Sequence, residues 1–581
     1  MLSKKLNTMP TGLASRLLLF LIAVLIASAC KKSPAGYDNS KPAWYKQAII
    51  YNLDVKVFKD SDGDGLGDFN GLTSKLDYLL SLGVNTIWLA PFQPSPWEDD
   101  GYDITDYMVV DQRLGSEQDF KNFIKAAKAK HIRVIMDMVL NHTSSRHPWF
   151  LASKDSSSVK RNWYLWSRQR PKDWDKGMGF PEVEKESWRF DSAADAYYFH
   201  RFYRFEPDLN FQNPALMQES KRILDHWLSL GLDGFRFDAV PFIIDDPRKS
   251  SEKPDHDFTL LHQLAGYIKV KNPQALILGE ANISPEENRD YFSKNNDGLD
   301  MMLNFEVNEY TFLALATGKT KELKKALEVT AKKPASDQWA VFLRNHDEVD
   351  LGKLNKKDFE LVNQKMGPDS NMQLYGRGIR RRLAPMLNNN QQRLQLAYSL
   401  LYALPGTPIL RYGEEIGMGD DLHLFERLAV RTPMQWDSSA NAGFSKAKKT
   451  FRPVIDTGLY SYKAVSVQKQ SQQYLSLLNY IRRLSSLRKQ YQLAGKGQWK
   501  LLETNTDNVL CLLHEDGKGP ILTVFNFAER PLTAEIKTDL SGSADKELLT
   551  GQASKLSITN GKLTIPLTGY GAQWLLWHVN N

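Results

Sequence analysis

Arg236 and Asp238 stand two residues apart near the end of the apolar run Gly234-Phe-Arg-Phe-Asp-Ala239. Side chains alternate along a strand, so a strand here sends both to one side. A permanent cation beside a carboxylate favours the ionised form and lowers its pKa. An ionised carboxylate at the rim of a sheet is what a nucleophile requires. Alone, such a pair is ordinarily a buried structural ion pair, so catalysis needs partners from other strand ends. Three further apolar runs carry candidates. Residues 275–281 end in Glu280, residues 339–348 end in Asn345, His346 and Asp347, and residues 133–142 carry Asp137, Asn141 and His142. Four hydrophobic strands delivering acids or histidines at their C-terminal ends form the pattern of a parallel barrel with its site on that face.

The elements that must hold these residues alternate along the chain. Strands are expected at Ala48–Leu53, Asn85–Ala90, Arg133–Val139 and Gly234–Asp238, then near 275–280, 299–305, 339–343 and 408–412. Helices are expected at Gly71–Leu82, Phe120–Lys130 and Met217–Leu230. Regular strand–helix alternation implies parallel βα units, here eight of them. The rhythm breaks over residues 143–204, which are rich in Trp, Arg, Lys, Asp and Pro, and long excursions of this kind are usually functional. A second irregular insertion covers about 350–388. After residue 495 short apolar runs alternate with Gly, Asp and Asn turns, as in a small antiparallel sandwich. The expected fold class is α/β: a (β/α)8 barrel in two parts, 42–142 and 205–495, an inserted domain at 143–204 and a C-terminal β-sandwich at 496–581.

Composition narrows the partners. The chain has 581 residues and a formal charge of +7, three of whose positive charges are Lys4, Lys5 and Arg16. The remaining excess is too small and scattered for nucleic acid. Those three cations precede the apolar run Leu17–Ala27 and then Ser28-Ala29-Cys30. The run is too short for a membrane span and suits a signal peptide. Small residues directly before a cysteine resemble a bacterial lipobox. Residues 1–30 are therefore expected to be a lipoprotein leader and 31–41 a tether. Lipidated Cys30 would be the only link to a membrane, with the protein exported to the periplasm or outer membrane; an ordinary signal peptide is the alternative. The other cysteine, Cys511, lies in an apolar run and reads as a core residue.

Asp137-Met-Val-Leu-Asn-His142, Gly234–Asp238, Glu280 and Asn345-His-Asp347 follow the order of the four signature regions of glycoside hydrolase family 13, the α-amylase family. Glu206-Pro-Asp-Leu-Asn210 resembles a fifth. The resemblance covers nearly the whole chain from Trp44 and implies retaining chemistry between two carboxylates about 5 Å apart. It implies Asp238 as nucleophile, Glu280 as general acid/base, and Asp347 as the residue that holds two sugar hydroxyls and distorts the ring. Arg236 would orient Asp238, and His142 and His346 would bind the sugar. In Asp99-Asp-Gly-Tyr102, Tyr102 would be an aromatic platform. Asp99 would pair with Arg431 and close the pocket behind a terminal glucose.

The loop Asp60-Ser-Asp-Gly-Asp-Gly-Leu-Gly-Asp68 offers oxygens at alternating positions, which suits Ca²⁺. An EF-hand needs Glu at its twelfth position, where Gly71 stands. The loop resembles one in oligoglucosidases of the family, with Asp60, Asp62, Asp64, Leu66 and Asp68 as ligands and no organic cofactor; a polar turn without an ion is the alternative. Asn141 and Asp208 would belong to a second Ca²⁺ site. Within the family, runs such as Gly378-Ile-Arg-Arg-Arg-Leu-Ala-Pro385 and Leu404–Gly413 resemble the trehalose synthase branch. The implied substrate is a short α-glucoside such as maltose, isomerised to trehalose with some hydrolysis. An exported α-glucosidase releasing glucose is the alternative, and an inactive sugar-binding homologue a remote one. Glu206, Val349–Gly352 and Phe425–Ala429 depart from that branch, and the resemblance puts them near the acceptor side.

Overall fold

The computed structural model describes residues 43–250, 255–292, 297–493, 498–515 and 519–579. The expected leader, tether and Cys30 lie outside the described residues. Among the described residues no helix is long and apolar enough to cross a membrane.

Eight parallel strands close into a barrel: β1 (Ile50–Leu53), β2 (Thr86–Leu89), β3 (Arg133–Met138), β4 (Gly234–Phe237), β5 (Leu276–Gly279), β6 (Met301–Leu303), β7 (Gln338–Phe342) and β8 (Thr407–Arg411). They pair in sequence order, and β8 returns to β1. The strands are buried on both faces and largely apolar, because one face fills the barrel and the other packs on helices. Ile50, Trp88, Ile135, Leu278, Leu303, Phe342 and Ile409 form the interior cluster, while Tyr51, Ile87, Met136, Phe235 and Ile277 join the layer under the helices. The same parity points Asn52, Asp137, Arg236 and Arg411 inward, one level nearer the C-terminal face. Tyr45 joins the interior cluster at the other end.

The helices follow from local signals. Glu117–Ala129 starts at a capping box between Ser116 and Asp119 and buries Phe120, Phe123, Ile124 and Ala127. The helix expected over Gly71–Leu82 is two, Phe69–Ser74 and Leu76–Ser81, broken at Lys75.

Three excursions leave the C-terminal face. Residues 143–204 hold a small antiparallel sheet of Trp166–Ser167, Ala196–Phe199 and Trp188–Asp191 around Leu165, Trp188 and Phe199. The segment expected to be irregular at 350–388 contains a helix, Lys356–Met366, and a three-stranded sheet. That helix buries only Val362, Asn363 and Met366, too sparse a stripe to stand out in the sequence. The third excursion follows β8 and includes the turn Glu426–Val430.

The C-terminal domain packs a five-stranded sheet and a three-stranded sheet over a core that includes Cys511, Val524, Ile565 and Trp577. The short apolar runs at 509–513, 521–527, 532–536, 562–566 and 572–577 all form strands. The strands not foreseen, Trp499–Leu501, Ser543–Glu547 and Ile558–Thr559, are all edge strands. Edges are kept short and polar, which erases the apolar signal.

Candidate active site

Asp137 and Arg236 are register partners on β3 and β4. Asp238 and Glu280 are the first residues beyond β4 and β5, on the same inward parity. The Arg236 guanidinium, fully buried, joins all three acids. Its Nη1 donates to Asp137 Oδ1 at 2.7 Å and to Asp238 Oδ1 at 2.5 Å, and its Nη2 lies 2.6 Å from Glu280 Oε2. The Ala239 amide donates to Glu280 Oε2 at 3.3 Å. Ala239 itself adopts a left-handed conformation with φ 47°, strained for a residue with a Cβ, where the strand turns into Val240–Ile243. One guanidinium bridging both carboxylates suits the roughly 5–5.5 Å spacing of retaining enzymes.

A second group faces these acids. Asp347 Oδ1 accepts from Arg427 Nη1 at 2.8 Å and Arg431 Nη2 at 3.0 Å. Its Oδ2 lies 3.0 Å from His346 Nε2. Tyr102 lies parallel to the His346 ring, centroids 5.3 Å apart, and its hydroxyl donates to Asp137 Oδ2 at 3.0 Å. The Tyr102 hydroxyl also lies 2.5 Å from His346 Nε2, so the imidazole sits beside the rim of the expected platform rather than over its face. His142 Nε2 sits 3.6 Å from Glu206 Oε1, and neither atom has a hydrogen-bond partner among the described residues. Buried polar atoms left open in this way await donors or acceptors from elsewhere.

The expected Asp99–Arg431 pair does not form. Arg427 Nη2 donates to Asp99 Oδ1 at 2.7 Å, while Arg431 Nη1 donates to Asp100 Oδ2 at 3.0 Å. Asp100 is also held by Arg452 and Lys56, so Arg431 belongs to a buried network behind the pocket wall. Arg427 closes the Asp99 end instead, and it lies inside the departing segment Phe425–Ala429. Glu206 also sits at the Asp99 end, beside His142. Two of the three departures thus border the terminal-glucose side rather than the acceptor side.

Burial sets the protonation pattern. Glu280 is raised to about 7 by desolvation, and further by Asp238 and Asp347, against the opposing pull of Arg236. Asp238 is raised to about 6, because desolvation together with the charges of Asp137 and Asp347 outweighs Arg236. Arg236 does lower this pKa, as expected, but burial and the neighbouring acids set the net direction. Arg236 keeps Asp238 mostly ionised at neutral pH without bringing it below the ordinary range. For Asp347 burial acts upward, yet His346, Arg427 and Arg431 hold it well below the usual carboxylate range. His142 falls to about 3 through burial and is neutral. Glu280 poised to hold its proton, Asp238 mostly ionised and Asp347 a fixed anion are the separation that acid/base work at neutral pH requires.

The cavity over these groups is about 490 Å³. Asp99, Tyr102, His142, Asp238, Glu280, His346 and Asp347 line it, whereas Arg236 and Arg431 stand behind them. Phe180 and Phe202 from the first excursion, Arg377 from the second and Arg427 from the third complete the wall. Sequence reasoning missed these four, which lie on excursions without strand periodicity.

In the acidic loop, carboxylate oxygens of Asp60, Asp62 and Asp68 lie within 4.8 Å of one another. The Asp62 carboxyl is raised by desolvation and then by the charges of Asp64, Asp68 and Asp60. A cation would relieve that crowding. Asp64 instead accepts from the Leu66 amide at 2.7 Å. Asn141 Nδ2 donates directly to Asp208 Oδ2 at 3.1 Å, and Asp208 also accepts from the Arg201 amide. The pair expected at a second Ca²⁺ site therefore forms its own bond.

A closed parallel barrel with two carboxylates bridged by one buried arginine and a third acid opposite defines a barrel enzyme of glycosidic-bond chemistry. The family model for the alpha amylase catalytic domain matches residues 53–497. Trehalose synthase of Pimelobacter sp. is 36% identical over 92% of this chain and 96% of its own. Trehalose synthase of Thermus thermophilus is 40% identical over 84% of this chain, which spans about half, 51%, of that longer protein. The crystal structure of alpha-amylase from H. orenii superposes with a TM-score of 0.74 at 27% identity, covering 92% of this chain and 100% of that one. The chain belongs to the α-amylase family, whose members of this kind are retaining α-glucosidases and transglucosylases.

Proposed function

We propose that the protein isomerises maltose to trehalose, with hydrolysis to glucose as a side reaction. Asp238 attacks the anomeric carbon of the non-reducing glucose while Glu280 gives its proton to the glycosidic oxygen. The products are a β-glucosyl ester on Asp238 and a free glucose. That glucose turns within the pocket, Glu280 takes the proton from its anomeric hydroxyl, and this oxygen displaces Asp238 to give trehalose. Water in the same position gives a second glucose instead. Asp347 holds neighbouring sugar hydroxyls, and the open Nε2 of His142 offers a further contact.

The observation that carries this reading is the enclosure of the site. Asp99 and Arg427 close one end, and Phe180, Phe202 and Arg377 from two excursions stand over the rest. Retaining a cleaved glucose requires a site that excludes water. The names of the relatives lend the same direction. The test is incubation with maltose and chromatography of the products. Trehalose as the main product is expected, glucose alone would assign the protein to the α-glucosidases, and no turnover would make it a binding homologue.

Two further assignments belong to this reading. Asp60, Asp62 and Asp68, with the Leu66 carbonyl, are the residues that would hold Ca²⁺, which would neutralise the crowded loop. Cys30 would carry the lipid of an exported form. Incorporation of labelled fatty acid, lost in Cys30→Ser, is the expected outcome there.

A further inference from the structure

Glu309 is a buried acid outside the catalytic group, 1% exposed. It stands on the helix Phe305–Thr317, which is pinned to the end of β7 where Asn308 Nδ2 donates to the Phe342 carbonyl at 2.6 Å. Glu309 Oε2 accepts from the Lys353 amide at 3.2 Å, and Oε1 has no hydrogen-bond partner among the described residues. A buried carboxyl with an open oxygen is costly and calls for a role.

Lys353 links this acid to the pocket. Its ammonium donates to the Ile283 carbonyl, and Glu309 is the strongest of the charges that act on it. Ile283 and its neighbours Asn282 and Ser284 line the pocket just after Glu280. Glu280 serves the oxygen between the two sugars, so these residues stand beside the acceptor. Asp350 lines the pocket too, and its Oδ2 accepts from Asn282 Nδ2 at 3.1 Å. A chain of contacts thus runs from Glu309 through Lys353 to the loop 281–284, and Asp350 holds the same loop from the segment that carries Lys353.

We propose that Glu309 is a positioning residue: through Lys353 it sets the loop 281–284 against the acceptor, and so divides the glucosyl ester between sugar and water. The proposal rests on the reading of Asp238 as the carrier of that ester. Burial raises Glu309 to about 8, Asp350 and Glu306 add to the rise, and Lys353 opposes it. Glu287, from the loop after β5, acts on Lys353. Glu322 of the helix Lys321–Thr330 and Asp358 of the helix Lys356–Met366 act on the neighbouring Tyr310. At neutral pH Glu309 therefore keeps its proton and leaves the Lys353 ammonium to Ile283. Above about 8 the open Oε1 carries charge, competes for that ammonium and frees the loop. Sugar and water attack alike: the acceptor O–H gives its proton to Glu280, a new C–O bond forms and the ester bond to Asp238 breaks. The ratio of the two outcomes is thus insensitive to titration of the catalytic pair.

The test uses an aryl α-glucoside as donor and added glucose as acceptor. Aryl release counts ester formation, and disaccharide of any linkage counts transfer. In the wild type the ratio of transfer to hydrolysis should fall about tenfold from about pH 7 to about pH 9. Glu309→Gln, which keeps the shape of the protonated acid, should hold the neutral ratio across that range. Lys353→Met should give the low ratio at every pH. Aryl release at neutral pH should stay within about twofold of wild type in both variants. The proposal fails if the wild-type ratio does not fall, if Glu309→Gln falls as the wild type does, or if Lys353→Met keeps the wild-type ratio at neutral pH. The pH series in Glu309→Gln decides the matter even where Lys353→Met folds poorly. The reading beneath it is scored apart: aryl release retained in Asp238→Asn would overturn the ester on Asp238, and glucose alone from maltose would overturn the isomerase, while the ratio still judges Glu309.

Discussion

At the scale of residues, the account turns on Arg236 touching Asp137, Asp238 and Glu280 at once. Replacing Asp238 by Asn removes the nucleophile but keeps its shape. Turnover should fall by at least about a thousandfold with the melting transition preserved, as measured by steady-state kinetics beside calorimetry. Glu280→Gln should cost about 10²–10⁴ on maltose and much less on an aryl glucoside whose leaving group needs no proton. The pH profile follows from the same pair. Asp238 must be ionised, so the rate falls below about 6. Glu280 must hold its proton, so the rate falls above about 7. A narrow bell between these limbs is expected, its apparent values belonging to the coupled pair. The pairing of Asp238 with Arg236 was legible in the sequence because strand parity puts residues 236 and 238 on one face, whereas the roles given to Glu280 and Asp347 came from the family resemblance. The partner of Asp99 was not legible. Arg427 and Arg431 lie one helical turn apart in the same segment, and only the fold decides which of them reaches Asp99.

At the scale of elements, β4 begins at a glycine that no other residue can replace cheaply. Gly234 has φ 150°, and a Cβ there would lie 2.2 Å from the Leu276 carbonyl oxygen of β5. Gly234→Ala should destabilise by at least about 2 kcal/mol, read by denaturant unfolding, because the two central strands must part. Arg377 does a different job. It donates to the Gly179 carbonyl at 2.8 Å and pairs with Glu348, tying the second excursion to the first above the pocket. Arg377→Ala should raise the glucose fraction made from maltose while leaving the fold intact. Strands buried on both faces were legible as unbroken apolar runs. The helix Lys356–Met366 and the three edge strands were not, because elements exposed on most sides carry too few apolar residues to reveal their period.

At the scale of the whole molecule, many buried acids sit above their ordinary values. Burial raises Asp208 and Asp337 to about 7 and Glu309 to about 8, besides Asp238 and Glu280. A raised folded-state pKa means that the folded form binds more protons than the unfolded one. Its stabilising contribution is complete below the unfolded value near 4 and is lost as pH rises through the folded value. The melting temperature should therefore fall between about pH 5 and pH 8. Asp100 and Asp347, which are lowered, act in the opposite sense only at acid pH. Chelation should lower the melting temperature by several degrees, with recovery on added Ca²⁺, if the Asp60 loop holds the ion. The most direct measurement is maltose turnover in excess ¹³C-glucose, followed by NMR. Trehalose as the main product, mostly free of label, is the predicted result, since the glucose retained under the excursions is the acceptor. Glucose as the sole product would contradict the account.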